Sequence, residues 1–312
     1  MSDVVVLGAG LAGVACAREL RASGVDVRLL DRGYVPGGRM ASKRLWGRPV
    51  DLGASYFTVD DPGFAAVVDD WAARGLARAW TESFTVLGDD GTRTTTGPVR
   101  WGATHGLRSL VEDLAQDLDV ERREVADLAE LGARTVVLAM PDPQARRLVG
   151  DHPVSEVLDR EWEPVLALAA RWPERGWDLD GAFVNDDPDV AWIADDGRRR
   201  GDDAPVLVAH STPARAARHL DDPAGAAPAL VAAVRRLLDV GEPEEVHVHR
   251  WTFARPTGER EAPYALVDGE PLVGVCGDGW GPRPKVETAW VSGTSLGRAL
   301  AARISAGGIP ST

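Results

Sequence analysis

The most constraining feature of the sequence is a glycine-rich turn near its start, between an apolar strand and an apolar helix. Residues 4–7 are three valines and a leucine, and the turn that follows is Gly8-Ala9-Gly10-Leu11-Ala12-Gly13. Apolar periodicity predicts a helix over residues 11–23, ended by Gly24, and a second strand over residues 25–30. This order predicts a parallel βαβ unit at the start of an α/β fold.

Each glycine of this turn has its own expected role in binding a dinucleotide. Gly8 permits the tight turn, Gly10 lets a pyrophosphate approach the backbone, and Gly13 lets the helix close onto the strand. The helix N-terminus supplies N–H groups and positive potential to the phosphates. Asp31 lies 18 residues after Gly13, where its carboxylate can accept hydrogen bonds from ribose hydroxyls. We therefore predict a dinucleotide site here.

A second glycine pair favours FAD over a nicotinamide dinucleotide. Gly37-Gly38-Arg39-Met40 begins six residues after Asp31. The two glycines would bring another backbone segment against the same pyrophosphate, and Arg39 would add a cation to a site otherwise served by neutral N–H groups. The two segments together predict FAD as the cofactor.

With these segments the sequence resembles the flavin-containing amine oxidase superfamily, and within it most closely the renalases. The resemblance continues through residues 51–58, 136–141, 249–251, 254–256, 276–278 and 287–293. Position 55 departs from the pattern, because it is Ser where renalase-like sequences carry a larger amide side chain. Residues 164–245 carry no motif. Both departures concern the substrate side of the site.

The resemblance implies how the cofactor is held. It places Gly53-Ala54-Ser55 near the flavin ring, the backbone of Val125 at the adenine, and Asp278 at the ribityl or phosphate portion. A helix starting near residues 287–288 would point its positive end at reduced flavin, which is anionic at N1 and the C2 carbonyl. A capping or loop role for Asp278 stays open. The expected cofactor-binding residues are Gly8, Ala9, Gly10, Leu11, Ala12, Gly13, Asp31, Arg32, Gly38, Arg39, Met40, Gly53, Ala54, Ser55, Val125, Met140, Pro141, Gly277, Asp278, Glu287, Thr288 and Ala289.

The sequence identifies the substrate-binding residues less clearly than the cofactor-binding residues. Tyr56, Phe57, Trp251 and Trp280 are expected either to wall a flat pocket over the flavin or to pack in the core. The remaining tryptophans interpreted as packing residues are Trp101, Trp162, Trp172, Trp177 and Trp192.

His247 and His249 alternate on a predicted strand, but without a third ligand they do not predict a metal site. No nucleophile arrangement is evident, and none is required when a flavin takes a hydride from a donor carbon about 3 to 3.5 Å away. The sequence therefore names no catalytic residue.

Composition excludes several classes of protein. A formal net charge of -13 argues against nucleic-acid binding. The one dense basic run, residues 198–200, lies between acidic pairs and is interpreted as a solvated loop.

Two cysteines, Cys16 and Cys276, make no disulfide framework and fit a reducing compartment such as the cytoplasm. Neither is placed for covalent flavin attachment. No stretch approaches 18 apolar residues, so no membrane span is expected.

The predicted architecture is α/β: a Rossmann-like FAD-binding domain with an inserted α+β substrate domain on a mixed or antiparallel sheet. Residues 1–55, 100–158 and 246–312 form the first domain, and residues 56–99 and 159–245 the second. Residues 64–73 are predicted to be helical, and residues 83–99 a hairpin that turns at residues 88–91.

Three functions are compatible with this reading. The first is a renalase-like oxidase, in which an isomeric dihydro-NAD(P) reduces FAD and O2 is reduced to hydrogen peroxide. The second keeps the flavin but oxidises an amine or an alkene. The third is a non-catalytic two-domain binding protein, against which the presence together of Arg39, Asp278 and the helix start at Glu287-Thr288 argues.

Overall fold

The structure is a computed structural model that describes residues 4–308, and these form two large β-sheets, a two-stranded sheet and the helices that cover them. The strands are β1 Val4–Leu7, β2 Val27–Asp31, β3 Ser42–Leu45, β4 Arg48–Asp51, β5 Ala77–Gly88, β6 Gly91–Ala103, β7 Val120–Arg122, β8 Thr135–Leu138, β9 Trp162–Arg171, β10 Gly181–Val184, β11 Val190–Asp195, β12 Val206–Ser211, β13 Glu245–Pro256, β14 Ala265–Val267 and β15 Leu272–Val275. The α-helices are α1 Leu11–Ala22, α2 Pro62–Ala73, α3 Leu107–Leu114, α4 Asp142–Ala145, α5 Asp196–Arg200, α6 Pro213–Ala217, α7 Ala227–Leu238 and α8 Val286–Arg303.

The first sheet is the predicted Rossmann-like sheet, with the strand order β14-β15-β8-β1-β2-β7. All neighbours pair in parallel except β14 with β15. Val4 and Val6 pack into the core formed with α1 and α8, whereas Val5 and Leu7 pack into the core on the opposite face. Parallel strands are covered on both faces, which explains why these strands are continuous apolar runs.

The second sheet has the order β13-β9-β12-β11-β10-β5-β6. Its pairs are antiparallel except β5 with β10. On one face Leu166 and Leu168 share a core with Leu230 of α7. On the other face Ala167 packs with Leu52, which follows β4. This second face is therefore turned toward the segment that was expected to lie near the flavin.

The predicted mixed α/β class with a Rossmann-like unit is confirmed, and the hairpin turns where expected, with Gly88 paired to Gly91. The chain departs from the proposed domain boundaries at two places. The strand β13 pairs with β9 in the second sheet, although residues from 246 onward were assigned to the first domain. The helix α2, assigned to the second domain, buries Phe64 and Trp71 in the first core. In both cases the contact is nonlocal and has no counterpart in local sequence pattern.

Across residues 4–308, no helix combines the length and the apolar character that a membrane span needs.

Candidate cofactor and substrate site

Two glycines of the N-terminal turn are required by the fold itself. Gly8 has a φ of +106°, and a Cβ there would lie 2.6 Å from the carbonyl oxygen of Ala139. A Cβ at Gly13 would lie 1.9 Å from the carbonyl oxygen of Gly8. These contacts hold α1 close against β1 and β8, so any side chain at either position would separate the helix from the sheet.

Gly10 is different, because no protein contact explains it. It precedes α1 with an ordinary φ of -75°, and a Cβ there would meet nothing closer than the Cα of Gly38 at 3.8 Å. No side chain caps the helix at this point. Because Gly10 has no side chain, the space beside the first N–H groups of α1 stays open. Free N–H groups at a helix N-terminus beside open space are suited to bind an anion.

Asp31 is held in place by two backbone N–H groups, one in the N-terminal turn and one just after β2. Its Oδ2 accepts a hydrogen bond from the N–H of Ala9 at 2.6 Å, and its Oδ1 accepts one from the N–H of Gly33 at 2.6 Å. The carboxylate ends β2 at the edge of the cavity, where a carboxylate can accept hydrogen bonds from a ribose.

Arg39 and Asp278 form one unit rather than two separate ligand groups. Nη1 and Nη2 of Arg39 donate to the two carboxylate oxygens of Asp278 at 2.7 and 2.5 Å. The guanidinium also donates to the carbonyl of Ala254 and lies 4.6 Å from the ring centroid of Trp162. The expected extra cation is therefore largely neutralised, and the bidentate pair ties the loop after β15 to the second glycine segment.

Residues 52–55 form a loop that is fixed on every side. The N–H of Ala54 donates to the carbonyl of Arg39 at 2.9 Å. Nε1 of Trp251 donates to the carbonyl of Leu52 at 2.7 Å. Nε1 of Trp192 donates to Oγ of Ser55 at 2.9 Å. The small Ser55 thus has a specific partner, although the sequence offered no reason for the absence of a larger amide.

The prediction that residues 198–200 form a solvated loop is wrong. They end the short helix α5, and Arg199 and Arg200 are buried with Asp196 and Asp51. Arg200 lies 3.0 Å from Asp51 and 3.1 Å from Asp196, and Arg199 pairs with Asp196. We call these four residues the buried ion cluster.

The buried ion cluster supports the loop at residues 52–55 from behind. Nη1 of Arg199 donates to the carbonyl of Ser55 at 2.7 Å. Burial would raise the pKa of Asp196, but Arg199, Arg200 and Arg48 outweigh it and hold that pKa below its usual value. Asp196 is therefore ionised at neutral pH, and the cluster forms a charged link between α5 and β4.

A single cavity of about 1530 Å³ joins these elements. Most residues expected at the cofactor or the substrate line it. They are Gly8, Gly10, Leu11, Ala12, Asp31, Arg32, Gly38, Arg39, Met40, Gly53, Ala54, Ser55, Tyr56, Phe57, Val125, Met140, Pro141, Trp251, Gly277, Asp278 and Ala289. The N-terminal end of α8 also reaches the wall through Val286 and Ala289.

Five expected residues lie outside the cavity lining. Ala9 and Gly13 act from beneath the turn, as described above.

The other three residues lie at or near the start of α8. The carboxylate of Glu287 accepts hydrogen bonds from the N–H groups of Asp60 and Asp61, at 2.6 and 2.7 Å. The hydroxyl of Thr288 donates to the carbonyl of Arg283. Trp280 packs in the same core as Val5 and Leu7, with the guanidinium of Arg260 over its ring. The side chains of Glu287, Thr288 and Trp280 thus make contacts within the protein around the site and do not line the cavity.

The second sheet closes the far end of the cavity with a surface that we call the donor wall: Tyr56, Pro98, Arg100, Phe183, Trp192 and His210. Trp192 packs in a buried cluster with Phe84, as expected for a packing residue, and it also lines the cavity. Its ring centroid is 5.7 Å from that of Tyr56 and 5.0 Å from that of Phe183. Apart from Tyr56, which belongs to the segment 51–58, the donor wall comes from strands without any motif, so sequence reasoning missed Arg100 and His210.

Two histidines on this face are neutral. The register places His210 of β12 and His249 of β13 opposite the same residue, Ala167 of β9, so both rings emerge on the cavity side. Burial, reinforced by Arg199, lowers the pKa of His210 to about 4. Burial, reinforced by His247 and nearby cations, lowers the pKa of His249 to about 4 as well. Nε2 of His210 is buried without a partner among the described residues.

The histidine and cysteine pairs lie in different surroundings. His247 approaches Nζ of Lys43 at 3.3 Å, and residues 4–308 contain no group of three His, Cys, Asp or Glu side chains arranged around a metal position. Cys16 and Cys276 are buried free thiols, and neither lines the cavity.

Comparison with known proteins agrees with the geometry. The family described as NAD(P)-binding Rossmann-like domain matches residues 6–71. Hydroxyneurosporene desaturase of Rubrivivax gelatinosus is 48% identical over 66 residues, which are 20% of this chain and 13% of that protein. Putrescine oxidase of Kocuria rosea is 37% identical over 93 residues, which are 30% of this chain and 20% of that protein. These matches span a fifth or less of the relatives' own length.

The likeness of the whole chain is structural. Cyclohexylamine oxidase of Brevibacterium oxydans superposes with a TM-score of 0.75 and 14% identity, over 97% of this chain and 99% of that one. Putrescine oxidase bound to putrescine superposes with a TM-score of 0.67 and 14% identity, over 98% and 99%. The chain therefore has the fold of these oxidases. Together the findings support its placement in the superfamily of flavin-containing amine oxidases and related FAD-dependent oxidoreductases, while the renalase branch stays a prediction.

Proposed function

We propose that this protein is an FAD-dependent oxidoreductase that binds FAD non-covalently and oxidises a dihydronicotinamide dinucleotide, an isomeric form of dihydro-NAD(P), with O2 as the final acceptor. The observation that carries the proposal is the continuous cavity of about 1530 Å³ between the glycine turn and the donor wall. Since a site for one drug-sized ligand occupies roughly 300 to 1,000 Å³, this space suits a dinucleotide and a second molecule.

The residues present fit FAD. The pyrophosphate would lie over Gly10 at the N-terminus of α1, where the missing side chain leaves room that the protein does not use. Asp31 would accept hydrogen bonds from the ribose, and the backbone at Val125 would meet the adenine. The loop at residues 52–55 would carry the flavin ring, with the N-terminus of α8 beside it.

The chain's own contribution to the reaction is orientation and exclusion of water. FAD, when bound, supplies a two-electron acceptor: the donor loses a hydride to become NAD(P)+, and O2 with that hydride and one proton yields hydrogen peroxide. The loop at residues 52–55 fixes one wall through Trp192 and Arg199. The donor wall then holds the donor's planar ring against the opposite side of the cavity. No residue is required to remove a proton from the donor, and none is assigned that role.

The charge of the second sheet favours this donor over a cationic amine. Within the described residues, that sheet contributes Arg100, Arg250 and Arg255 to the cavity lining and no carboxylate. His210 and His249 are neutral. Arg255 is paired with Glu163 of β9, so the positive bias of this wall comes from Arg100 and Arg250. Such a wall attracts phosphates and repels a protonated amine.

An amine oxidase is the second candidate. It is favoured by the amine-oxidising proteins among the relatives, putrescine oxidase and cyclohexylamine oxidase. The aromatic faces of Tyr56 and Trp192 would then bind the amine in its neutral form or through cation–π contact. For either donor we propose a cytoplasmic location, in keeping with two buried free thiols.

Anaerobic mixing distinguishes the candidates. The purified protein, loaded with FAD, is mixed with isomerised NADH, NADH, putrescine and cyclohexylamine, and loss of flavin absorbance is followed. We expect fast bleaching only with isomerised NADH, and hydrogen peroxide equal to donor consumed once air is admitted. Bleaching by amines alone would transfer the assignment to the second candidate, and a protein that takes up no FAD would exclude both.

A further inference from the structure

Arg100 is a nearly buried cation without an anionic partner. It lies on β6 with 7% of its surface exposed, and no described carboxylate stands within ion-pair distance. Its Nη1 donates to the carbonyl of Glu82, and its guanidinium lies 4.4 Å from the ring centroid of Phe84. Nε and Nη2 make no hydrogen bond within residues 4–308, yet neither is among the atoms sealed from solvent. Two donor groups of Arg100 thus remain available to the cavity that it lines.

The other deeply buried arginines near the site are arranged differently. Arg199 and Arg200 are neutralised by Asp196 and Asp51, and the partly buried Arg39 by Asp278. Arg160, as buried as Arg100, has no carboxylate in an ion pair either, but its Nε, Nη1 and Nη2 all donate to backbone carbonyls. Placing a cation in such surroundings without a counter-ion is unfavourable to folding. An unpaired guanidinium in a cavity wall is therefore expected to meet its counter-ion in a ligand.

The surroundings of Arg100 define the ligand's chemistry. Burial raises the pKa of Tyr56, and the nearby charge of Arg100 partly offsets this rise. Trp192 adds an aromatic face, and Nε2 of His210 is a buried neutral group without a partner in the described chain. Phe183 is 37% exposed and marks the solvent side of the same wall. The wall thus combines one cation, aromatic faces and a neutral hydrogen-bonding group.

We propose that Arg100 is the anion-binding residue of the donor subsite and receives a phosphate of the donor through Nε and Nη2. The identity of the donor rests on the proposed function. In this arrangement the donor's planar ring lies deeper, against Trp192 and Tyr56, and its phosphates extend toward Phe183 and solvent. Arg100 determines specificity for phosphorylated donors by a charge-assisted hydrogen bond, and takes no part in hydride transfer.

The test compares donors with and without phosphate. Wild type, Arg100→Gln and Arg100→Lys, each loaded with FAD, are reduced anaerobically by the dihydronicotinamide dinucleotide, mononucleotide and riboside. For Arg100→Gln we expect the apparent Kd of the two phosphorylated donors to rise about 10- to 100-fold with an unchanged limiting rate, and the riboside to be unaffected. Arg100→Lys should fall between. Arg93→Gln, an exposed position on the same strand, should match wild type.

Other outcomes overturn the proposal. An equal loss with all three donors would make Arg100 a structural residue, and unchanged Kd values would remove it from the subsite. If no dihydronicotinamide reduces the wild-type flavin, the proposed function fails separately. The anion site is then decided by ADP-ribose binding, followed through the flavin difference spectrum. At least 10-fold weaker binding to Arg100→Gln supports the site, and equal binding to both proteins refutes it.

Discussion

The two ends of the cavity are built in opposite ways. At the nucleotide end, backbone groups and glycines within residues 8–40 make much of the surface, and Asp31 bonds to a residue only 22 positions away. At the donor end, side chains from distant strands make it, and Arg199 reaches the carbonyl of Ser55 across 144 positions. Local backbone geometry can be recognised from residue spacing, whereas a wall of distant side chains can be recognised only after folding.

The difference also concerns charge. The nucleotide end uses neutral N–H groups and one neutralised pair, Arg39 with Asp278. The donor end lies in front of the buried ion cluster and presents Arg100, which has no carboxylate partner among the described residues. We therefore expect mutations at the first end to act on FAD affinity, and those at the second to act on stability or on the donor.

The largest effect is expected from the buried ion cluster. Asp196→Asn leaves Arg199 and Arg200 with half of their counter-charge, so the free energy of unfolding should fall by about 3 to 5 kcal/mol. Urea unfolding measures it. The control is Asp178→Asn, because Asp178 is 91% exposed in its pair with Arg198 and should cost less than about 0.5 kcal/mol. Similar losses in both variants would contradict a special role for the cluster.

Gly10→Val should separate cofactor binding from folding. A Cβ at Gly10 would lie 3.8 Å from the Cα of Gly38, its nearest nonlocal contact, so the protein should fold, yet the pyrophosphate would be excluded. We expect FAD affinity to fall at least about 100-fold, or about 3 kcal/mol, in equilibrium dialysis. Gly13→Ala should instead lower stability, because its Cβ would lie 1.9 Å from the Gly8 carbonyl. Retention of one FAD per chain by Gly10→Val would place the pyrophosphate elsewhere.

A smaller effect should come from Arg39 and Asp278. Because the two residues form one bidentate pair, Arg39→Ala and Asp278→Ala should be strongly non-additive. A double-mutant cycle on FAD affinity should give a coupling of about 1 to 2 kcal/mol. Additive losses would mean that each residue contacts the cofactor independently, as the sequence alone suggested.

The smallest effect is a pH dependence from His210. Its pKa of about 4 lies below the ordinary value of 6.5, so the unfolded chain binds more protons as the pH falls and the folded state is destabilised. Between pH 7.5 and pH 5, His210→Gln should lose about 1 to 2 kcal/mol less stability than wild type in urea unfolding with excess FAD. Parallel pH profiles for the two proteins would show that His210 is not held neutral by the fold.

The sequence predicted the parts of the molecule in which one residue pattern has one structural meaning. The turn at residues 8–13, Asp31, the hairpin at residues 88–91 and the closing helix all follow from local propensity. The sequence did not predict α5, because a basic run flanked by acids has the same pattern whether it is solvated or buried. Only pairing of Arg200 with Asp51, 149 positions away, decides between these states. Trp192 does pack in a buried cluster, as expected, and that it also lines the cavity follows only from the fold.

The account's central claim is that one cavity holds FAD at the glycine turn and presents its ring to the donor wall. A crystal structure of the FAD-saturated protein tests this most directly. We predict the pyrophosphate over Gly10 at the start of α1, and the flavin ring against residues 53–55 with its open face toward Tyr56 and Trp192. FAD bound elsewhere, a ring turned away from these residues, or a protein that takes up no FAD would contradict the claim.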